Sequence, residues 1–208
     1  YFGKEKAFNE WVESHKKLEE RNNMSENPYS RYIEVVPKVN EVSYNQGTNA
    51  TGGANTGNRN NKSTGTYTQS LDEKRNRNKK ILGNKGELLV YNLLCKRVGK
   101  ENVFPRSEAF IELGIIKPGQ AVSGGYDISY YGEDGIEYFV EVKTGDGKSF
   151  IISPGELQYA KDNAEKYKLI IVYDVDAEEP KCMELPMRFW EDSKFRKREI
   201  VERIEFEF

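Results

Sequence analysis

Apolar and polar positions alternate most sharply between residues 126 and 144. Residues 126–131 and 136–144 are rich in β-branched and aromatic side chains, with Gly132-Glu133-Asp134-Gly135 between them. This pattern predicts a β-hairpin. In its second strand Val140 and Val142 point one way and Glu141 and Lys143 the other, because strand side chains alternate. The loop then decides the chemistry. A two-residue turn at Asp134-Gly135 puts Asp127 and Glu141 on opposite faces. A three-residue loop, with Gly135 in the left-handed region, pairs Gly132 with Ile136 and Asp127 with Glu141. Gly135 suits the second arrangement, in which the two carboxylates share a face with Cβ atoms about 5 Å apart. Carboxylates that close repel unless a cation lies between them, and a hard divalent ion would take their oxygens.

The same pattern reading extends along the chain. Residues 3–24 predict a helix, with Phe8, Trp11, Val12 and Leu18 on one stripe and His15, the only histidine, as a packing residue on it. Residues 31–36 predict a short strand ended by Pro37. Residues 45–66 hold Gln, Gly, Thr, Asn and Ser with alanine as the only apolar type, so they cannot offset their ordering entropy. The expected organisation is an N-terminal helix and strand segment (1–44), a flexible polar linker (45–70) and a main domain (71–208).

Within that domain residues 84–98 are apolar almost all round and predict a buried helix stopped by Gly99. Asn84 and Glu87 have capping-box spacing, which accounts for Glu87 structurally; alternatively Glu87 tips toward the core on the stripe of Tyr91, Leu94 and Val98. Residues 102–104 predict a first strand before Pro105. Gly147-Lys148-Ser149 is read as a hairpin turn before a strand at 150–152. It lacks the earlier glycine of a phosphate-binding loop, since Val142 stands there. Ser153-Pro154-Gly155-Glu156 opens a helix running to about Tyr167. Residues 168–175 predict a central strand, 181–185 an edge strand, 186–195 a short helix or turn, and 200–208 a closing strand. Together these predict an α/β fold, a mixed central sheet flanked by helices.

Composition narrows the setting. The chain has 208 residues and a net charge of −2, and 32% of its residues are charged. No apolar run reaches membrane-spanning length, and the start lacks a signal-peptide pattern, so no membrane association is expected. Cys95 and Cys182 have no nearby Cys or His partner, which excludes a zinc or disulfide framework and fits a cytoplasmic, reducing setting. The missing initial Met leads us to expect a piece of a longer chain. The charge balance does not favour a dedicated nucleic-acid binder. Lys74, Arg75, Arg77, Lys79 and Lys80 nonetheless form the densest basic cluster, either a solvated helix start or a phosphate-contacting arm.

Asp127 at a strand start followed by Glu141-x-Lys143 resembles the PD-(D/E)XK nuclease superfamily, with Tyr126 where the superfamily's name has proline. Gly86-Glu87-Leu88, Gly125-Tyr126-Asp127-Ile128, Val140-Glu141-Val142-Lys143-Thr144, and Ser153 with Glu156 resemble, in that order, the C-terminal domain of NO VEIN-type proteins. The resemblance covers about the last two-thirds of the chain. It implies a restriction-endonuclease-like fold and Mg²⁺- or Mn²⁺-dependent hydrolysis of nucleic acid, expected to be DNA. Asp127 and Glu141 would hold the metal, with the Val142 carbonyl as a further ligand. Lys143 would orient water or stabilise growing charge, Glu87 would support the metal, and Ser153 and Glu156 would flank the site. NO VEIN-type domains often stand beside helicase or ATPase modules, which implies partner domains and, in microbes, restriction or phage defence. The other readings are a nucleic-acid-binding module that does not cut, and a docking domain whose acidic cluster is a solvated face.

Overall fold

The computed structural model of the chain describes residues 27–42, 66–121, 124–200 and 203–207. The predicted helix at 3–24 lies outside them. The chain divides into two compact units, Tyr1–Val35 and Val36–Phe208. In the first, a 3₁₀ turn at Ser30–Tyr32 stands where a strand at 31–36 was expected. Just before it the Tyr29 N–H donates to the Asn27 side-chain oxygen at 2.9 Å, an Asx-type local bond that competes with extended structure.

The second unit is built on a helix, α1 (Thr66–Val98), of 33 residues. Its residues 66–70 fall in the stretch read as linker. Residues 73–80 are exposed, whereas Leu88, Leu89, Val90 and Leu94 are buried. The apolar signal therefore marks only the half of the helix that meets the sheet. The expected start at Asn84 is corrected by this continuity, and so is the Asn84–Glu87 capping box. Asn84 is buried inside the helix, and its side-chain amide donates to Glu112 at 2.8 Å.

Among the described residues nine strands follow the order β1 (Lys38–Val39), β2 (Val103–Pro105), β3 (Ile128–Tyr131), β4 (Glu137–Gly145), β5 (Ser149–Ile152), β6 (Tyr167–Tyr173), β7 (Lys181–Glu184), β8 (Arg196–Ile200) and β9 (Arg203–Glu207). A four-residue helix, α2 (Ala109–Glu112), follows β2, and α3 (Pro154–Asp162) joins β5 to β6. The larger sheet is six-stranded and mixed, in the order β1-β7-β6-β4-β3-β2, and the smaller one runs β5-β9-β8. The β4–β6 pair is parallel, as the intervening α3 crossover allows, while β3–β4 is antiparallel. The architecture is thus mixed α/β with few helices.

Several boundaries differ from the sequence expectation. Gly147-Lys148-Ser149 does not close a hairpin, because β5 leaves β4 and pairs with β9. Helix α3 ends at Asn163, whose side chain bonds back to the Tyr159 carbonyl, so Tyr167 opens β6 instead of closing the helix. Strand β7 is not the edge, since β1 pairs with it in parallel. Pro105 falls inside β2, on the outermost strand of the sheet, where a missing N–H costs least. Among the described residues no helix is long and apolar enough to cross a membrane.

The core lies between the two sheets and α3. Tyr167, Leu169, Ile171 and Met183 of the large sheet meet Phe150, Ile152, Leu157, Phe189 and Phe206. Each such side chain contributes about 1.5–3 kcal/mol on full burial. On the α1 side the approach is closest at Gly86, where a Cβ would overlap the Thr144 methyl and stand 3.7 Å from Val172 Cβ. At Gly83, one turn earlier, a Cβ meets nothing within 4 Å.

Two substitutions in the same helix are therefore expected to act in opposite directions. Gly83→Ala raises stability by about 0.5–1 kcal/mol through helix propensity. Gly86→Ala lowers it by about 1–3 kcal/mol by forcing α1 off β4. Urea unfolding of both variants checks this, and equal shifts would refute the packing account.

Candidate functional site

The site starts from the hairpin register. Gly132 N–H donates to Ile136 O at 2.9 Å, Gly135 N–H donates to Gly132 O at 2.9 Å, and Gly135 has φ 73°. This is the three-residue loop. The pairs run from Tyr131↔Glu137 to Ile128↔Val140, and one step further sets Asp127 opposite Glu141. The regular ladder stops there because the Asp127 N–H turns to the Val140 carbonyl at 2.8 Å. The Asp127 carboxylate accepts the Val142 N–H at 2.8 Å, which pins it over β4.

Glu141 is 4% exposed, on a strand flanked by neighbours on both sides. Such burial requires a partner. Lys143 provides it, donating from Nζ to Glu141 Oε1 at 2.6 Å and to Glu156 Oε2 at 2.8 Å. Glu156 is set in turn by the start of α3. The Glu156 N–H donates to Ser153 Oγ at 3.2 Å, and the Ser153 N–H donates to Glu156 Oε2 at 3.0 Å. One oxygen of Glu156 thus completes a capping box and holds the ammonium, so its structural and functional readings coincide.

Glu87 approaches from α1. It accepts a short hydrogen bond from Ser107 Oγ, just after β2. The N–H groups of Arg106 and Ser107 both donate to the Asp127 carbonyl, at 2.7 and 3.1 Å. Glu87 is therefore tied to Asp127 through two residues that sequence reasoning did not single out. The only signal for them was their place directly after a predicted strand, too short to give a register. The basic cluster is not brought here. Lys74, Arg75, Arg77, Lys79 and Lys80 lie on the exposed half of α1, with Arg77 about 15 Å back along the axis from Glu87. Lys80 pairs with Glu112.

A cleft of about 660 Å³ opens over these groups, lined by Ser107, Glu108, Asp127, Glu141, Glu156 and Tyr159 among others. Asp127 is closely surrounded, yet keeps part of its surface open to the cleft. Burial raises the Glu87 carboxyl from 4.5 to about 8, with Asp127 adding repulsion. Burial likewise raises Asp127 from 3.8 to about 6 against the opposing pull of the Val142 N–H and Lys143. Glu141 is raised well above the usual carboxylate range by burial and then by Asp127. Burial alone would lower Lys143, but Glu141 and Glu156 more than offset it and hold the ammonium charged. The oxygen donors of Asp127 and Glu141 are of the kind a hard divalent cation takes, and its charge would relieve their repulsion. Among the described residues no group of three or more His, Cys, Asp or Glu is gathered tightly enough to hold a metal alone. Any such ion would need a backbone carbonyl, water or a ligand oxygen to complete its shell.

Residues 86–185 match the family model described as Protein NO VEIN, C-terminal. The matched stretch runs from the α1–β4 contact to the end of β7, and contains Glu87, Ser107, Asp127, Glu141, Lys143, Ser153 and Glu156. The basic cluster precedes it, and β8 and β9 follow it. No curated protein and no solved structure matches the chain.

The raised acids have a consequence for stability. The folded state binds a proton at Glu87 more tightly than the unfolded chain does, so its contribution is fully present below pH 4.5 and is lost as pH rises through about 8. Glu87→Gln keeps an acceptor for Ser107 and removes the ionisation. The metal-free variant is expected to lose less stability than the wild type between those two pH values. Thermal unfolding across the range checks this, and parallel profiles would contradict the assignment.

Proposed function

We propose that this domain is a divalent-metal-dependent nuclease of the PD-(D/E)XK type, hydrolysing phosphodiester bonds in nucleic acid, with DNA the first substrate to test. The observation that carries the reading is the register that sets Asp127 opposite Glu141 with the Lys143 ammonium 2.6 Å from Glu141. It supplies two buried oxygen donors and a fixed positive charge at the floor of an open cleft. In this reading Asp127 and Glu141, with the Val142 carbonyl, hold Mg²⁺ or Mn²⁺, and the ion supplies Lewis acidity and an activated water. Lys143 donates hydrogen bonds to the phosphate oxygens as their charge grows. Glu87, kept in place by Ser107, stands behind Asp127 and would support the metal once the cation's charge offsets its raised proton affinity. Glu156 and Ser153 hold Lys143 at its station. The exposed basic half of α1 tracks the phosphate backbone. The restriction-endonuclease-like fold, a cytoplasmic setting, service in a larger multidomain protein and a role in restriction or phage defence belong to the same proposal.

A second reading is a nucleic-acid-binding or docking module without hydrolysis. Its support is the double engagement of Lys143 by Glu141 and Glu156, together with the lack of a tight three-acid group among the described residues.

Cleavage of labelled single- and double-stranded DNA and RNA in Mg²⁺ separates the two. Under the nuclease reading the wild type cuts at least one form, and Lys143→Ala lowers the rate by about 100-fold or more. The variant still binds metal in isothermal titration, whereas Asp127→Asn loses that binding. Cleavage by Lys143→Ala at the wild-type rate would remove the assigned role. Metal-independent binding without cleavage would favour the second reading.

A further inference from the structure

We infer that Arg106 is the phosphate-binding residue of this cleft, resting on the proposed phosphodiester reading. The first support is charge. Glu108, Asp127, Glu141 and Glu156 line the cleft, and among the described residues no Lys or Arg does, Arg106 standing one residue behind Ser107 in its wall. A phosphate entering it meets carboxylates, and the nearest ammonium, Lys143, is already shared by Glu141 and Glu156. An anionic substrate needs a further cation within reach.

The second support is position. β2 pairs with β3 through Phe104↔Ser129 and Pro105↔Ile128, and the next step sets Arg106 opposite Asp127. The Arg106 N–H bond to the Asp127 carbonyl marks that step at 2.7 Å. Cross-strand neighbours share a face. Continued one step past the ladder, Arg106 just after β2, Asp127 just before β3 and Glu141 in β4 stand in line, with the arginine at the outer end. Ser107, the next residue, is in the cleft wall.

The third support is what the guanidinium does now. It lies over the Phe104 ring, 5.9 Å from the centroid, and its Nε is buried without a hydrogen-bond partner. Among the described residues it meets no carboxylate, although Asp127 is its neighbour in that line. Lys80, Lys85, Lys143, Arg97 and Lys168, by contrast, are each held by an acid. A buried donor left unpaired costs free energy unless something it binds is missing. The planar fork of arginine suits a phosphate bidentately, and stacking on Phe104 parks it at low cost beside the cleft. Rotation of the side chain about its stem carries the fork from Phe104 toward the acids once a metal and phosphate have changed the local charge. Arg106 would bind and orient; no bond is made or broken at it.

The test uses the full chain in Mg²⁺, with inorganic phosphate and then a thymidine oligonucleotide as probes. Arg106→Gln keeps the stem on Phe104 and removes the charge, and Arg106→Lys restores charge without the fork. Wild type is expected to bind phosphate, Arg106→Gln about tenfold more weakly at an unchanged unfolding temperature, and Arg106→Lys in between. Equal binding by Arg106→Gln, or no phosphate uptake by the wild type, overturns the assignment. Oligonucleotide cleavage is read separately. If the chain cuts and Arg106→Gln keeps its KM, Arg106 is wrong and the nuclease reading stands. If phosphate binding depends on Arg106 but neither this oligonucleotide nor any of the single- and double-stranded DNA and RNA forms is cut, the anion site stands and the nuclease reading falls.

Discussion

The ion pair between Glu141 and Lys143 is the constraint around which the second unit is arranged. A carboxylate 4% exposed on an internal strand carries a desolvation cost of several kcal/mol. Only a charge on the same strand face, two residues on, reaches it without distorting the sheet. Lys143 does so, but a single ammonium between two walls must also be fixed laterally, and Glu156 does that from the start of α3. The capping box of that helix therefore has two tasks, and the helix direction, the β4–β6 crossover and the floor of the cleft are settled together. Removing either partner of the buried pair would cost about 3–5 kcal/mol, at least as much as overfilling the close contact at Gly86.

The arrangement leaves strain of an electrostatic kind. Glu87, Asp127 and Glu141 all have their proton affinity raised, while one lysine offsets only part of the repulsion. A purely structural site gains nothing by gathering three acids in one place, since apolar side chains of similar volume would serve the fold as well or better. Groups with opposed charges and displaced titrations in an open cleft are the motive for the nuclease proposal, although a structural ion-pair network shifts titrations in the same direction. The match of residues 86–185 to the NO VEIN C-terminal model encloses every member of this cluster.

The hairpin was legible because two local signals agreed. Side-chain alternation placed Glu141 and Lys143 on one face, and Gly135 selected the loop that brought Asp127 to them. Local reading failed at Asn84, where a cap motif lay inside a continuous helix. The polar first half of α1 carries no apolar stripe, so periodicity reported the buried half as if it were the whole. The departure of β5 into a second sheet was equally hidden, since a tight turn reads alike whether the chain folds back or crosses over. Arg106 and Ser107 were out of reach for a related reason. Three residues of strand give no register, and without the β2–β3 pairing nothing connects them to Asp127.

That pairing also explains why the cation nearest to Asp127 by register is not bound to it. An arginine locked onto Asp127 would neutralise the acid and leave nothing to attract a metal ion. Held instead over Phe104, it leaves Lys143, which bonds Glu141 and Glu156, as the cation that offsets the acids. The acid and the base are thus held apart, Asp127 turned to the Val142 N–H and Arg106 to the Phe104 ring.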